Sequence, residues 1–324
     1  MVKASSKGPL HAKKLAMKKA DEASGSAAAP PAVPVNWTKS TVTELMLQEA
    51  VDCGELPPKE EIQWRAPGEE TCPRPKDDEI VVLLDHVARG LRPPGSLFFR
   101  LVFRYYGLSP LDVAPNSILN LSNYVVFCED YLQVAPSLDF FLEIFYCNPA
   151  RKDKLGPYGG GGVSIQRRKE CPFPALLLAS HPKGWQNSYF YCKDTSPSTD
   201  KSRYPAFRDT PLVYKDKMNS RASEASEARV QNLSRRAKAL LAHGLRGTDL
   251  VKCWIGWSIQ PLSIRTRLFH QFTGETNDDM RYTEHIMNDD QLVKAAKKLL
   301  GETKTVIAKT GLAPFYIKNK PPTV

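Results

Sequence analysis

The sequence predicts an α+β protein that is predominantly helical, with an aromatic-rich helical core, a few short strands in the middle and a disordered basic N-terminal tail. Three observations carry this. First, 12 of the chain's 30 aromatic residues fall between positions 97 and 147, and each large ring can bury roughly 150–250 Å². Second, apolar residues around this block recur at helical spacing and are cut by Gly and Pro at regular intervals. Third, short alternating or β-rich runs stand at Val163 and Ile165 and at Tyr189-Phe190-Tyr191.

Residues 1–36 are Ala, Ser, Lys and Pro without an apolar period, a composition that predicts disorder. Within them, Lys13-Lys14 and Lys18-Lys19 read as a nuclear localisation patch, as the polar side of a short amphipathic helix, or as part of a transit peptide, although such peptides favour Arg and this segment has none. Residues 43–50 predict a short helix, with Leu45, Met46 and Glu49 at helical spacing and Gly54 as its stop. Five prolines between 55 and 78 predict an extended connector.

Residues 79–89 carry Ile80, Val81, Leu83, Leu84 and Val87 and read as the opening of the helical block, with Asp77-Asp78-Glu79 complementing its N-terminal dipole. Ser96 is positioned to cap the next helix. Leu97, Leu101 and Tyr105 form one stripe of it, and Phe99, Phe103 and Tyr106 a second. Only Arg100 and Arg104 supply a polar edge, so the spacing predicts burial on most sides. Gly107 stops this helix. Pro115 suits the first position of a helix reaching about Gln133, and Pro136 opens another that holds Phe140, Phe141, Ile144 and Phe145 and closes at Pro149. Residues 194–220 are polar and proline-bearing and read as a loop. An exposed Ala-, Arg- and Glu-rich helix follows over 220–242 and ends at Gly244. Thr248 or Asp249 then caps a helix through Trp254 and Trp257, and a last amphipathic helix covers 289–300. The resulting organisation is a basic tail over 1–36, a helix-rich core with short strands over 37–195, a polar linker over 196–220, C-terminal helices over 221–301 and a basic tail over 302–324.

The net charge of +10 is concentrated at the ends: residues 1–36 sum to +4 and residues 294–324 to +6, leaving 37–293 at zero. Candidate nucleic-acid contacts are therefore Lys13, Lys14, Lys18 and Lys19 at one end and Lys294, Lys297 and Lys298 at the other. Lysine clusters of this kind bind phosphate weakly and without sequence preference, by counterion release. No aromatic residue interleaves the N-terminal lysines to stack on bases, and solvation of the tails accounts for them equally well. No apolar run of about 18 residues and no signal-peptide core is present, which predicts an intracellular protein of nucleus or cytoplasm without a membrane span.

No catalytic constellation emerges. Gly156 and Gly161 have the separation of a phosphate-binding loop, but Gly162 and Val163 stand where that loop needs Lys and Ser or Thr. The seven cysteines never form C-x-x-C, and Cys171, His181 and Cys192 match no common zinc spacing. Asp278-Asp279 reads as a helix start, Arg265, Arg267 and His270 as solvated side chains, and Trp185, Trp254 and Trp257 as core or interface anchors. The sequence thus reads as a non-enzyme with no cofactor and no metal.

Read in order, the same residues resemble a family. Gly54-Glu55-Leu56-Pro57-Pro58, Trp64-Arg65, Phe99-Arg100, Tyr106-Gly107-Leu108, Pro115-Asn116-Ser117-Ile118-Leu119, Phe127-Cys128-Glu129, Gly184-Trp185, Gly244-Leu245-Arg246-Gly247-Thr248-Asp249-Leu250, Gln260-Pro261-Leu262 and Phe272-Thr273-Gly274 resemble the gypsy-type transposon domain of plant retroelements over roughly 38–287. The resemblance implies a gag-side region without catalytic residues. The expected function is then a gag-like structural or assembly protein of such an element, or a host-retained fragment of one, that self-associates through its helical body. The alternative is a monomeric nuclear nucleic-acid- or chromatin-binding factor that uses its lysine-rich ends.

Overall fold

The computed structural model of the chain describes residues 37–53, 55–132, 134–149, 162–180, 183–196, 203–208 and 216–254. The two tails, Gly54, the glycine run at 159–161, His181, Trp257, Arg265, Arg267, His270, Asp278-Asp279 and the helix expected over 289–300 lie outside the described residues, as do all seven candidate lysines.

Helices dominate, as the sequence predicts: α1 (Glu44–Asp52), α2 (Lys59–Ile62), α3 (Leu84–Val87), α4 (Leu97–Tyr106), α5 (Pro115–Val126), α6 (Leu138–Ile144), α7 (Glu227–Ala242) and α8 (Gly247–Trp254). Their ends follow from local chemistry. The Thr43, Ser96 and Ser137 hydroxyls accept hydrogen bonds from the backbone N–H groups of Met46, Phe99 and Phe140, closing α1, α4 and α6. Pro115 occupies the first turn of α5, where no intrahelical N–H is required. Gly107 stops α4 with φ 68°, a left-handed conformation that glycine adopts without a β-carbon clash. α5 passes into a π-helical turn at Phe127–Leu132.

Among the described residues four strands form two small antiparallel sheets. β1 (Glu79–Leu83) pairs with β4 (Tyr189–Lys193), bringing Val81 opposite Tyr191, and β2 (Phe145–Pro149) pairs with β3 (Val163–Arg167), bringing Cys147 opposite Ile165. The strands expected at 163–165 and 189–191 are present. Two helical expectations are corrected. Residues 79–83 are a strand because a short continuous apolar run suits a buried strand as well as a helix, and β4 offers it a partner. Only 84–87 turn into helix. Glu79 accordingly serves an ion pair and no helix dipole. Likewise α6 ends at Ile144 and Phe145 begins β2, held by five ladder positions against β3.

Three further expectations change. The connector at 55–78 contains α2, buries Leu56, Ile62 and Trp64, and pairs Arg65 with Tyr191 on the outer side of β4. On α4 the phenylalanine stripe faces the core, while Leu97 and Leu101 remain 45% and 41% exposed. Arg100 is buried and donates to the Ser196 hydroxyl at 3.1 Å. Both stripes are apolar, so spacing alone did not decide which would turn inward. In α8 neither Thr248 nor Asp249 precedes the helix. It starts at Gly247, and the Asp249 carboxylate accepts the backbone N–H of Arg246 from inside the first turn.

One apolar cluster runs from Val42 on the N-terminal side to Trp254 on α8, including Phe99, Phe103, Phe127 and Phe141. Phe98, Tyr124, Phe141, Phe145 and Phe173 form a chain of ring contacts with centroids 5.1–6.1 Å apart. α7 is exposed on one side only: Val230, Leu233, Ala237 and Leu240 are buried. A second, smaller cluster centred on Leu83, Tyr189 and Tyr191 lies at the β1–β4 sheet.

Candidate functional site

The polar groups that could carry chemistry are mostly engaged in holding elements together. Between α5 and β3 lies a cavity of ≈ 400 Å³ lined in part by Asn116, Ser117, Asn120, Gln166 and Arg167. Asn120 donates to the Ile165 carbonyl at 2.9 Å, Asn116 to the Ala179 carbonyl at 2.8 Å, and the Ser117 hydroxyl accepts the Ile165 N–H at 2.8 Å. Arg167 donates to the Phe173 carbonyl at 2.6 Å, and Gln166 accepts from the Tyr146 hydroxyl at 2.8 Å. These bonds stitch β3 to its surroundings, and among the described residues no thiol, carboxylate or imidazole joins them on the cavity wall.

On the outer side of β4, Arg65 grips Glu79 with two hydrogen bonds of 2.7 and 2.8 Å and lies 3.9 Å over the Tyr191 ring. The Tyr191 hydroxyl bonds the Glu70 carboxylate and accepts the Arg74 N–H. Burial raises the Glu79 carboxyl, but the Arg65 hydrogen bond, the Lys76 N–H and the two nearby cations outweigh it, and the group ends below its ordinary value. Burial first, then hydrogen bonding to Glu70, pushes the Tyr191 hydroxyl up.

The buried thiols are unsuited to nucleophilic work. Cys128, Cys147, Cys192 and Cys253 are fully desolvated or nearly so, and burial raises all four, Cys147 to about 12. None of the seven cysteines is in a disulfide. Cys171 and Cys192 are both buried, and His181 lies outside the described residues. Among the described residues no three His, Cys, Asp or Glu side chains converge on a metal-sized space. Trp185 and Trp254 are core residues. His86, also buried, donates Nε2–H to the Val113 carbonyl at 2.9 Å.

Two surfaces were missed by summing charge over the whole body. Residues 44–79 hold eleven carboxylates against four cations, a net −7. Residues 228–246 hold five cations, Arg229, Arg235, Arg236, Lys238 and Arg246, and no carboxylate. On α1 the outward face presents Leu45, 69% exposed, with Glu49 and Asp52 one and two turns on. α2 lies beside it through the Lys59–Glu44 ion pair of 2.8 Å and adds exposed Glu60. Burial, then the charge of Glu60, lifts the neighbouring Glu61 carboxyl. On α7 the outward face presents Arg235, Lys238 and Ala242, all exposed. Arg236, by contrast, turns down to the Leu132 carbonyl. Charge read in windows the length of one element would have located both faces.

Among the described residues no helix is long and apolar enough to cross a membrane. No curated protein and no solved structure shows significant similarity to the chain. Residues 80–149 match the family described as gypsy type transposon. The matched stretch runs from β1 through α6 to the end of β2 and supplies most of the ring-packed core. The centre of this chain, residues 80–149, is therefore similar to the gypsy-type transposon family.

Proposed function

We propose that the protein is a non-catalytic, gag-like structural or assembly protein of a plant gypsy-type element, or a host-retained fragment of one, acting in the nucleus or cytoplasm. The observation that carries this reading is how the matched segment spends its side chains. Phe98, Phe99, Phe103, Tyr124, Phe127, Phe140, Phe141 and Phe145 are core, and Asn120, Ser122 and Asn123 donate to backbone carbonyls. A segment used in this way favours a scaffold over a reaction centre. The direct test is the mass of the full chain in solution by light scattering across concentration, with oligomers as the expected result and a strict monomer as the contrary one.

The second reading is a monomeric nuclear nucleic-acid- or chromatin-binding factor, favoured by the placement of the excess charge at the lysine-rich ends. It predicts binding to duplex or single-stranded nucleic acid that falls steeply with salt and disappears when residues 1–36 and 294–324 are removed. Retention of binding after both deletions counts against it.

A further inference from the structure

We infer that the outward face of α1 docks onto the outward face of α7 in a second copy of this chain, joining copies head to tail. The inference rests on the assembly reading above and names the two surfaces that carry it.

Both are exposed helix faces on which, among the described residues, Glu49 and Asp52 of α1 and Arg235 and Lys238 of α7 carry charges of opposite sign that no other side chain neutralises by an ion pair. On α1, Leu45, Glu49 and Asp52 share one side, because separations of four and three residues bring side chains into line. On α7, Ala242, Lys238 and Arg235 do the same with the separations four and three read in the opposite direction. Laid antiparallel, the two faces fall into register: Leu45 against the small Ala242, Glu49 against Lys238, and Asp52 against Arg235. The Glu49 and Lys238 side chains make no ion pair or hydrogen bond among the described residues, and the Asp52 carboxylate accepts only from Gln48 of its own helix. No ion pair or hydrogen bond among the described residues joins 44–61 to 228–246 within one copy, so each chain retains one face of each sign. Arg235 and Lys238 also border a groove lined by Glu143, Glu170, Glu224 and Glu227; none of these carboxylates makes an ion pair with either cation among the described residues, and Glu227 lies eight residues before Arg235, about 12 Å along the helix.

Complementarity of this kind fixes register and partner choice, and removal of Leu45 from water adds an apolar anchor. The contact is heterologous, since an α1 face meets an α7 face and never its own kind. It leaves one face of each sign open at the ends of a pair and so propagates into rings or filaments.

The test uses the full chain and two double variants, Glu49→Lys/Asp52→Lys and Arg235→Glu/Lys238→Glu, all at exposed positions, with circular dichroism to verify that both fold. Light scattering is read over concentration and sodium chloride. The wild type is expected above 36.2 kDa, with its mass falling as salt rises. Each variant alone carries two faces of the same sign and should associate at least about tenfold more weakly. An equimolar mixture of the two should associate again, because each supplies the face that the other needs. If the wild type associates and both variants associate equally well, the surfaces are wrong while the assembly reading stands. If the wild type is 36.2 kDa throughout, the assembly reading fails and this inference with it. If Arg235→Glu/Lys238→Glu loses binding to a single-stranded RNA probe while its self-association is unchanged, α7 is a nucleic-acid face, and the inference is overturned.

Discussion

Gly90 and Ser122 approach so closely that the corner following α3 is locked onto α5. A β-carbon on Gly90, whose φ is 106°, would overlap the Ser122 hydroxyl and sit 2.9 Å from the Trp254 indole nitrogen on α8. The Ser122 hydroxyl in turn bonds the Arg89 carbonyl at 2.7 Å. One glycine therefore sets the spacing of three elements, including one that lies about 100 residues beyond the matched segment.

Gly90→Ala should lower the unfolding free energy by about 3 kcal/mol, combining left-handed strain with the clash against Ser122 and Trp254. Urea denaturation followed by tryptophan fluorescence measures it. A loss below about 0.5 kcal/mol would show that the corner relaxes freely.

Arg168 ties the end of β3 to two other places. It donates to the Leu142 carbonyl on α6 at 3.0 Å and to the Asn219 side chain and the Ser220 carbonyl at 2.8 Å each. Arg168→Ala should cost about 2 kcal/mol. Arg168→Lys should recover only part of it, because a single ammonium cannot reproduce the guanidinium fork.

The Arg65–Glu79 pair predicts an acid-labile edge. The Glu79 carboxyl lies below its ordinary value of 4.5 in the folded chain. Its contribution is therefore fully present above pH 4.5 and is lost as pH falls through the folded value. Glu44, also lowered, acts in the same direction. Glu79→Gln should be less stable than wild type by about 1–3 kcal/mol at neutral pH, and its stability should decline less between pH 5 and pH 3. Parallel pH profiles for the two proteins would contradict this role for the pair.

Thiol labelling checks the packing independently. Cys53 is exposed and Cys72 half-buried, whereas the other five cysteines are buried. Native protein should react rapidly at Cys53, more slowly at Cys72 and only on unfolding at the rest. Fast native labelling of Cys128 or Cys253 would contradict the core described around α5 and α8.

How much of this was legible beforehand depended on how local the determinant is. Ser96, Gly107 and Pro115 act within a turn of their own position, and the helix ends they predict are where the structure has them. β1 and β2 were misread as helix because a run such as Ile80–Leu83 carries no period, and its state is decided by a partner about 110 residues away. The inward turn of Phe99 and Phe103 over Leu97 and Leu101 was equally invisible, both stripes being apolar. The cavity beside Asn116 and Asn120 left no sequence signal, since its walls meet only when β3 is laid across α5. The two charged faces were present in the sequence but cancelled in a sum over the whole body.

Self-association is the central claim, and light scattering on the full chain over a hundredfold range of concentration at low salt tests it most directly. The expected result is a mass that climbs above 36.2 kDa with concentration and returns toward it as salt is added. A mass of 36.2 kDa at every concentration and every salt would contradict the account.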